Sequence, residues 1–345
     1  MSTGISAPAS SEVQPRARAI KTYAPGLLLC LGGAAVAMIF SSFIPGLSAM
    51  IVAIIAGIAL TNMTRLPSTF LPGIQVAAKT LLRWGIVFLG LKLVIADVRN
   101  LGLPMLLVIV CIVAGGIIGT LLIGRLLKMK PAQVLLIACG FSICGAAAVA
   151  GVEGTSDAEE EDVVIAVALV VIFGTIMIPT IPFLGALAGL APETMGMWAG
   201  GSIHEVAQVV AAGGVIGGSA LEIAVVVKLA RVLLLAPVVF ILGLVKRRQS
   251  SGVQTTGQEK RPPIVPLFII GFLSMVFLRS TVDLPEPVLA TGDFLQTILL
   301  ATAMFALGCG VKIQSLLHVG VRPFVLAFAS TVLVSTIAFV GIELV

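Results

Sequence analysis

The side chains with most chemistry in them lie close together in the chain. The run Gly200-Gly201-Ser202-Ile203-His204-Glu205-Val206-Ala207-Gln208 sets an imidazole beside a carboxylate, with an amide one turn on. Lys228 and Arg231 follow, three residues apart, a spacing that puts both on one helix face. A His–Glu neighbourhood carries or gates a proton, and a paired ammonium and guanidinium neutralise an oxyanion. Metal chemistry is not indicated, because H-E-x-x-H requires a second His where Gln208 stands. There is no P-loop, no nucleophile elbow and no haem or iron–sulfur spacing. The five cysteines (Cys30, Cys111, Cys139, Cys144, Cys309) form no C-x-x-C pair and read as small apolar residues.

These groups must be held by apolar elements. Of 345 residues, 59% are hydrophobic and 11% charged, with a mean hydropathy of +1.17, which excludes an ordinary soluble enzyme. Apolar runs bounded by Pro, Gly or charge give eleven candidate spans: 24–44, 47–61, 80–97, 103–127, 131–150, 162–180, 194–217, 220–245, 263–280, 292–312 and 321–343. The fold class expected is an all-α polytopic transmembrane bundle with internal repeats and discontinuous mid-membrane helices. Residues 1–22 read as a disordered cytoplasmic tail followed by a retained first helix rather than a cleaved signal peptide. Residues 23–345 form the transporter domain, with a flexible polar linker at 246–262.

The net charge of +5 marks topology rather than nucleic-acid binding, because the basic residues fall between the spans. With the N-terminus inside, the inner segments hold sixteen of the twenty-one Lys and Arg and the outer ones hold Arg99 and Arg279. The positive-inside rule then puts the 246–262 linker in the cytoplasm and the C-terminus outside. The acidic run Glu153 to Asp162 falls outside on the same count. Lys92, Lys228 and Arg231 remain within spans. Lys92 reads as reaching the outer surface and Glu222 as favouring a helix dipole.

A shift of 60 residues aligns 140–149 with 200–209, five of ten positions agreeing. A weaker match at a shift of 218, between the third and tenth spans, suggests inverted repeats. Gly200-Gly201 is a poor helix interior, and Ser202-x-x-Glu205 is a capping-box pattern that starts a helix in mid-span. Ser142 after Gly140 offers a similar start. Free N–H groups at such starts attract anions, and a broken helix is tolerated in a bilayer only where it is buried in protein or lines a cavity. The alternative is an intact helix with a small-residue packing face.

Charge at membrane depth costs about 2.5–3.5 kcal/mol per residue on insertion scales, so His204, Glu205, Lys228 and Arg231 are functional candidates. Structural alternatives exist for each. Glu205 could only cap, His204 could only bond a carbonyl, and the basic pair could snorkel.

ACGFSICGAAAVAG (138–151), the acidic turn after it, GGSIHEVAQVVAAGG (200–214) and VVKLARVLLLAPV (226–238) resemble the YeiH-like family of bacterial inner-membrane proteins, labelled sulfate exporters. The likeness covers nearly the whole chain after residue 24. It implies a multi-pass protein of the bacterial inner membrane, distantly similar to cation:proton antiporters and bile-acid-symporter-like transporters with paired discontinuous helices. One departure concerns orientation. The two G-x-S-I segments stand two spans apart and would run parallel, whereas crossed half-helices are inverted. Either one hairpin is re-entrant, or Pro179 to Ala191 adds a crossing, or the repeat is local.

The expected function is secondary transport of small anions, with sulfate export as the named case. Ser142, Ser202, Lys228 and Arg231 would bind substrate, and His204, Glu205 and Gln208 would couple or gate a proton. The implied partners are a small anion and the lipid bilayer, with a homodimer left open and no nucleic acid, cofactor, metal or catalytic residue. A cation/proton antiporter or an anion channel of related fold is the alternative. An intramembrane enzyme is disfavoured, since Ser202 and His204 are too close in sequence for an ordinary dyad on one helix.

Overall fold

A computed structural model describes residues 13–44, 48–250, 266–311 and 320–345. Of the disordered tail expected at 1–22, residues 1–12, and of the linker expected at 246–262, residues 251–262, lie outside the described residues, whereas residues 13–22 and 246–250 are helical, continuous with the apolar helices beside them. The architecture is all helical: α1 (Val13–Ser42), α2 (Ala49–Met63), a composite α3 (Ser68–Lys92), a short α4 (Ile95–Asn100), α5 (Gly102–Leu126), α6 (Pro131–Ser142), α7 (Ala146–Glu153), α8 (Glu160–Leu187), α9 (Pro192–Ser202), α10 (Val206–Ile216), α11 (Ala220–Leu233), α12 (Leu235–Ser250), α13 (Leu267–Thr281), α14 (Glu286–Gly310) and α15 (Arg322–Glu343). Among the described residues seven helical segments are long and apolar enough to cross a membrane, with α11 and α12 together counting as one (Ala220–Arg248). Four shorter helices, α2, α6, α10 and α13, are also apolar. The chain is a polytopic membrane-spanning bundle.

Local sequence explains several boundaries. Glu159 and Asp162 make a reciprocal capping box at the start of α8, where three acidic side chains also favour the positive helix end. Pro131 and Pro192 open α6 and α9, where the missing N–H of proline costs nothing. Within α3 the regular ladder widens into a π-turn over Ala77–Leu81, around Lys79.

The helices pack in two layers. One joins α1, α2, α3, α13 and α14; the other joins α5 to α11 with α15. Glycines permit the closest approaches in the first layer: the Cα of Gly308 faces Gly57, and Gly57 in turn lies against the Phe305 carbonyl. Two buried apolar clusters fill the bundle, one of them wholly within the second layer around Ile112, Ile203, Val227 and Val334.

The two segments expected to cross at 131–150 and 194–217 do not cross. Each doubles back. Lys130, before α6, pairs with Glu159, after α7, at 3.2 Å, and Gly140 of α6 lies against Val149 of α7. A straight helix from 131 to 153 would separate its ends by more than about 30 Å. Likewise Ser219, after α10, donates to Glu193 of α9 at 2.7 Å. The hairpins enter from opposite ends of the bundle, because α8 and the α11–α12 pair run the full length between their bases. Re-entrance therefore answers the orientation problem of the two G-x-S-I segments, and it occurs twice.

The acidic run is also corrected. Asp157 pairs with Lys246 at 3.2 Å, Glu159 with Lys130, and Glu153 with Lys79 at 3.1 Å. These acids share an end with the basic residues, because α6 and α7 return to the end from which they entered.

Candidate functional site

The hairpin tips meet in the middle of the bundle. In the first, helix ends at Ser142, and Gly145 takes φ 72° and ψ −135° before α7 begins at Ala146. In the second, α9 ends at Ser202, and Ile203 and Glu205 are extended before α10 begins at Val206. The breaks thus fall at 143–145 and 203–205. The serines expected at helix starts instead close the preceding helices. The box starting at Ser202 is replaced by one starting at Glu205, because Ile203 and Glu205, not the glycines, leave helical geometry.

Each break exposes two kinds of unsatisfied backbone: carbonyls at the end of one half-helix and N–H groups at the start of the next. The carbonyls are bonded by side chains of α11. Arg231 Nη1 donates to Gly200 O (3.0 Å), Gly201 O (2.7 Å) and Ile203 O (3.2 Å). Its Nη2 donates to Phe141 O (3.2 Å) and Ser142 O (2.9 Å), and its Nε to Ser142 O (3.3 Å). Lys228 Nζ donates to Ile143 O and Ile203 O, both at 2.8 Å. Both side chains are wholly buried, so neither snorkels. Their positive charge lies against the negative ends of α6 and α9.

The N–H groups are bonded by Glu205. Its carboxylate accepts from Ala146 N at 3.1 Å across the hairpins, and also from the Gln208 N–H of its own helix. Gln208 Oε1 accepts from Glu205 N at 3.2 Å, and its amide donates to Val171 O of α8 at 3.3 Å. One carboxylate therefore caps two helix starts.

His204 lies in contact with the Phe141 ring, centroids 4.4 Å apart. Its Nδ1 is 3.2 Å from Phe141 O and its Nε2 3.1 Å from Thr331 Oγ1. A carbonyl only accepts, so Nδ1 carries a proton. Ser202 Oγ accepts from Ser335 at 3.3 Å, whereas Ser142 Oγ is buried without a partner, against Gly116 of α5. All seven sequence-predicted residues converge on this crossing. Ser335 and Thr331 of α15 join them unexpected: each stands in a Ser-Thr pair (330–331 and 335–336), but hydroxyls in an apolar helix commonly bond their own backbone and so do not by themselves mark a site.

A cavity of about 740 Å³ opens at the end bearing Lys130 and Lys246, between the two layers, and reaches Ala146. Arg65, Lys79, Arg83 and Glu153 stand on its wall. In the sequence the three basic residues read as topology marks. The available signal was the spacing of Gln75, Lys79 and Arg83, four apart on one helix face. Lys92, expected to snorkel, pairs with Asp293. Among the described residues no group of three His, Cys, Asp or Glu could hold a metal ion.

The family described as Conserved hypothetical protein 698 matches residues 25–327. A UPF0324 membrane protein of Corynebacterium glutamicum is 65% identical over 341 residues, covering 99% of this chain and 98% of the relative. Another from Bacteroides thetaiotaomicron is 42% identical, covering 81% and 84%, and one from Agrobacterium fabrum is 35% identical, covering 91% of each. No solved structure matches.

Proposed function

The chain belongs to the family of UPF0324 membrane proteins described as Conserved hypothetical protein 698, and on that premise we propose that it is a secondary transporter of small anions in the bacterial inner membrane, sulfate export being the first case to test. The observation that carries this reading is the charge at the crossing. Two buried cations, Lys228 and Arg231, face one buried carboxylate, Glu205, where two hairpins from opposite ends meet. Such surplus positive charge in a low-dielectric setting attracts an anion.

In this reading the basic pair holds the crossing together and keeps it positive, while the unpartnered Ser142 hydroxyl, and the Ser202 hydroxyl that accepts from Ser335, meet a ligand. Glu205, with His204 and Gln208 beside it, couples the cycle to a proton. Protonating its carboxylate loosens the cap on α7 and α10 and changes the charge of the crossing by one. The end carrying Lys130 and Lys246 faces the cytoplasm by the positive-inside rule. Counting the 15-residue helices α2 and α13 as crossings, the described residues make nine crossings and two re-entrant hairpins. Alternating access arises as the layer holding the hairpins moves against the layer of α1, α2, α3, α13 and α14.

The test is flux of labelled sulfate and competing oxyanions into proteoliposomes, with and without an imposed pH gradient. Saturable flux that responds to the gradient, and loses that response in Glu205→Gln, is expected. Absence of saturable flux of every anion tried, from protein verified as folded and inserted, would overturn the reading.

A further inference from the structure

The cavity at the cytoplasm-facing end differs from what bare sulfate needs. A hydrated dianion must exchange its water shell for polar partners on all sides. Here the charged groups are Arg65, Lys79 and Arg83 with Glu153, Glu160 and Glu161, while Ala150, Val167 and Leu307 make much of the rest apolar. Lys79 is already paired with Glu153. Glu160 and Glu161, also on the wall, lie in the first turn of α8, where the helix dipole favours them. Arg65 and Arg83 have no carboxylate within ion-pair distance among the described residues, and Arg83 lies over the Phe268 ring at 5.8 Å. The volume, about 740 Å³, is that of a pocket for a molecule of many atoms rather than a tetrahedral ion.

Resting on the transporter reading above, we propose that this cavity is the substrate chamber and that its occupant is a soluble organic anion, a carboxylate or sulfonate carrying an apolar body of a few carbons. Arg65 and Arg83 take the anionic head, and the apolar wall between α7, α8 and α14 takes the body. The chamber ends at Ala146, whose N–H is held by Glu205, so an occupant lies next to the cap that loosens on protonation.

The experiment uses the full chain in two assays, inhibition of labelled-sulfate flux in zwitterionic proteoliposomes and calorimetric binding in detergent, with straight-chain sulfonates from methane- to hexanesulfonate. Each added methylene should tighten binding about fourfold until the chamber is full. Ala150→Phe should abolish that gain, so that hexanesulfonate binds no more tightly than methanesulfonate. Val164→Phe, on the same wall, serves if the first variant does not fold. The double variant Arg65→Gln with Arg83→Gln should weaken every member at least about tenfold. Saturable sulfate flux with no chain-length dependence would overturn the chamber and leave the transporter. Chain-length-dependent binding without flux of any anion would leave the chamber and remove the transporter. A chain-length gain that survives both Phe variants would mean partition into lipid or detergent and would also overturn the proposal.

Discussion

The Glu205 carboxylate accepts the Ala146 N–H at 3.1 Å, although 59 residues separate them and they belong to hairpins that enter from opposite ends of the bundle. The contact joins two helix starts through one charge, just as Arg231 joins two helix ends. All four half-helix ends at the crossing thus meet a side chain of complementary sign, which is how broken backbone is accommodated at membrane depth.

The first prediction concerns topology. With the exposed Cys111 replaced by alanine, a cysteine at Ser156 should be labelled from the same side of the membrane as one at residue 255, and a cysteine at Ala191 from the other. Labelling of 156 and 255 from opposite sides would mean that α6 and α7 cross the bilayer.

Arg231 makes six hydrogen bonds to five carbonyls. Each buried carbonyl left without a donor costs about 1–3 kcal/mol, so Arg231→Met should lower the melting temperature of purified protein more than any other single change at the crossing. Arg231→Lys keeps the charge but loses the planar fork, and should fall between Arg231→Met and the unsubstituted protein. A melting temperature unchanged in Arg231→Met would show that the carbonyls find other donors.

Gly145 has a positive φ, and a Cβ there would run into the Glu205 side chain. Gly145→Ala should therefore cost about 1–3 kcal/mol in backbone strain, dislodge the shared cap and reduce flux. Gly154→Ala is the control, since that position is helical in φ and opens on empty space. Equal effects from the two would sink the idea that the tip geometry matters.

His204 should carry its proton on Nδ1, because Phe141 O can only accept. Nitrogen-15 chemical shifts in labelled protein would report this, with only two histidines in the chain, His204 and His318. A neutral ring protonated on Nε2 alone would contradict the geometry.

Sequence alone determined the solvent of this protein. A chain this apolar must fold in a bilayer, and charge within an apolar span is rare enough that His204, Glu205, Lys228 and Arg231 stand out from their positions in the chain. The helix breaks are also legible to within three residues, since glycine pairs and capping patterns are local properties of the chain. Local signals could not tell a helix that crosses from a hairpin that returns, because both are apolar runs of about 20 residues. That distinction rests on which distant residues meet, such as Lys130 with Glu159 and Glu193 with Ser219. The same limit governs the partners of the charged groups. Capping chemistry made Ser202 look like the start of a helix, yet tertiary packing brought Glu205 to Ala146 and spread Arg231 over two half-helix ends. Hydrogen bonds between segments 31 to 90 residues apart leave no periodicity to read. Only the folded bundle decides which buried donor faces which buried acceptor, because in hydrocarbon each must find one.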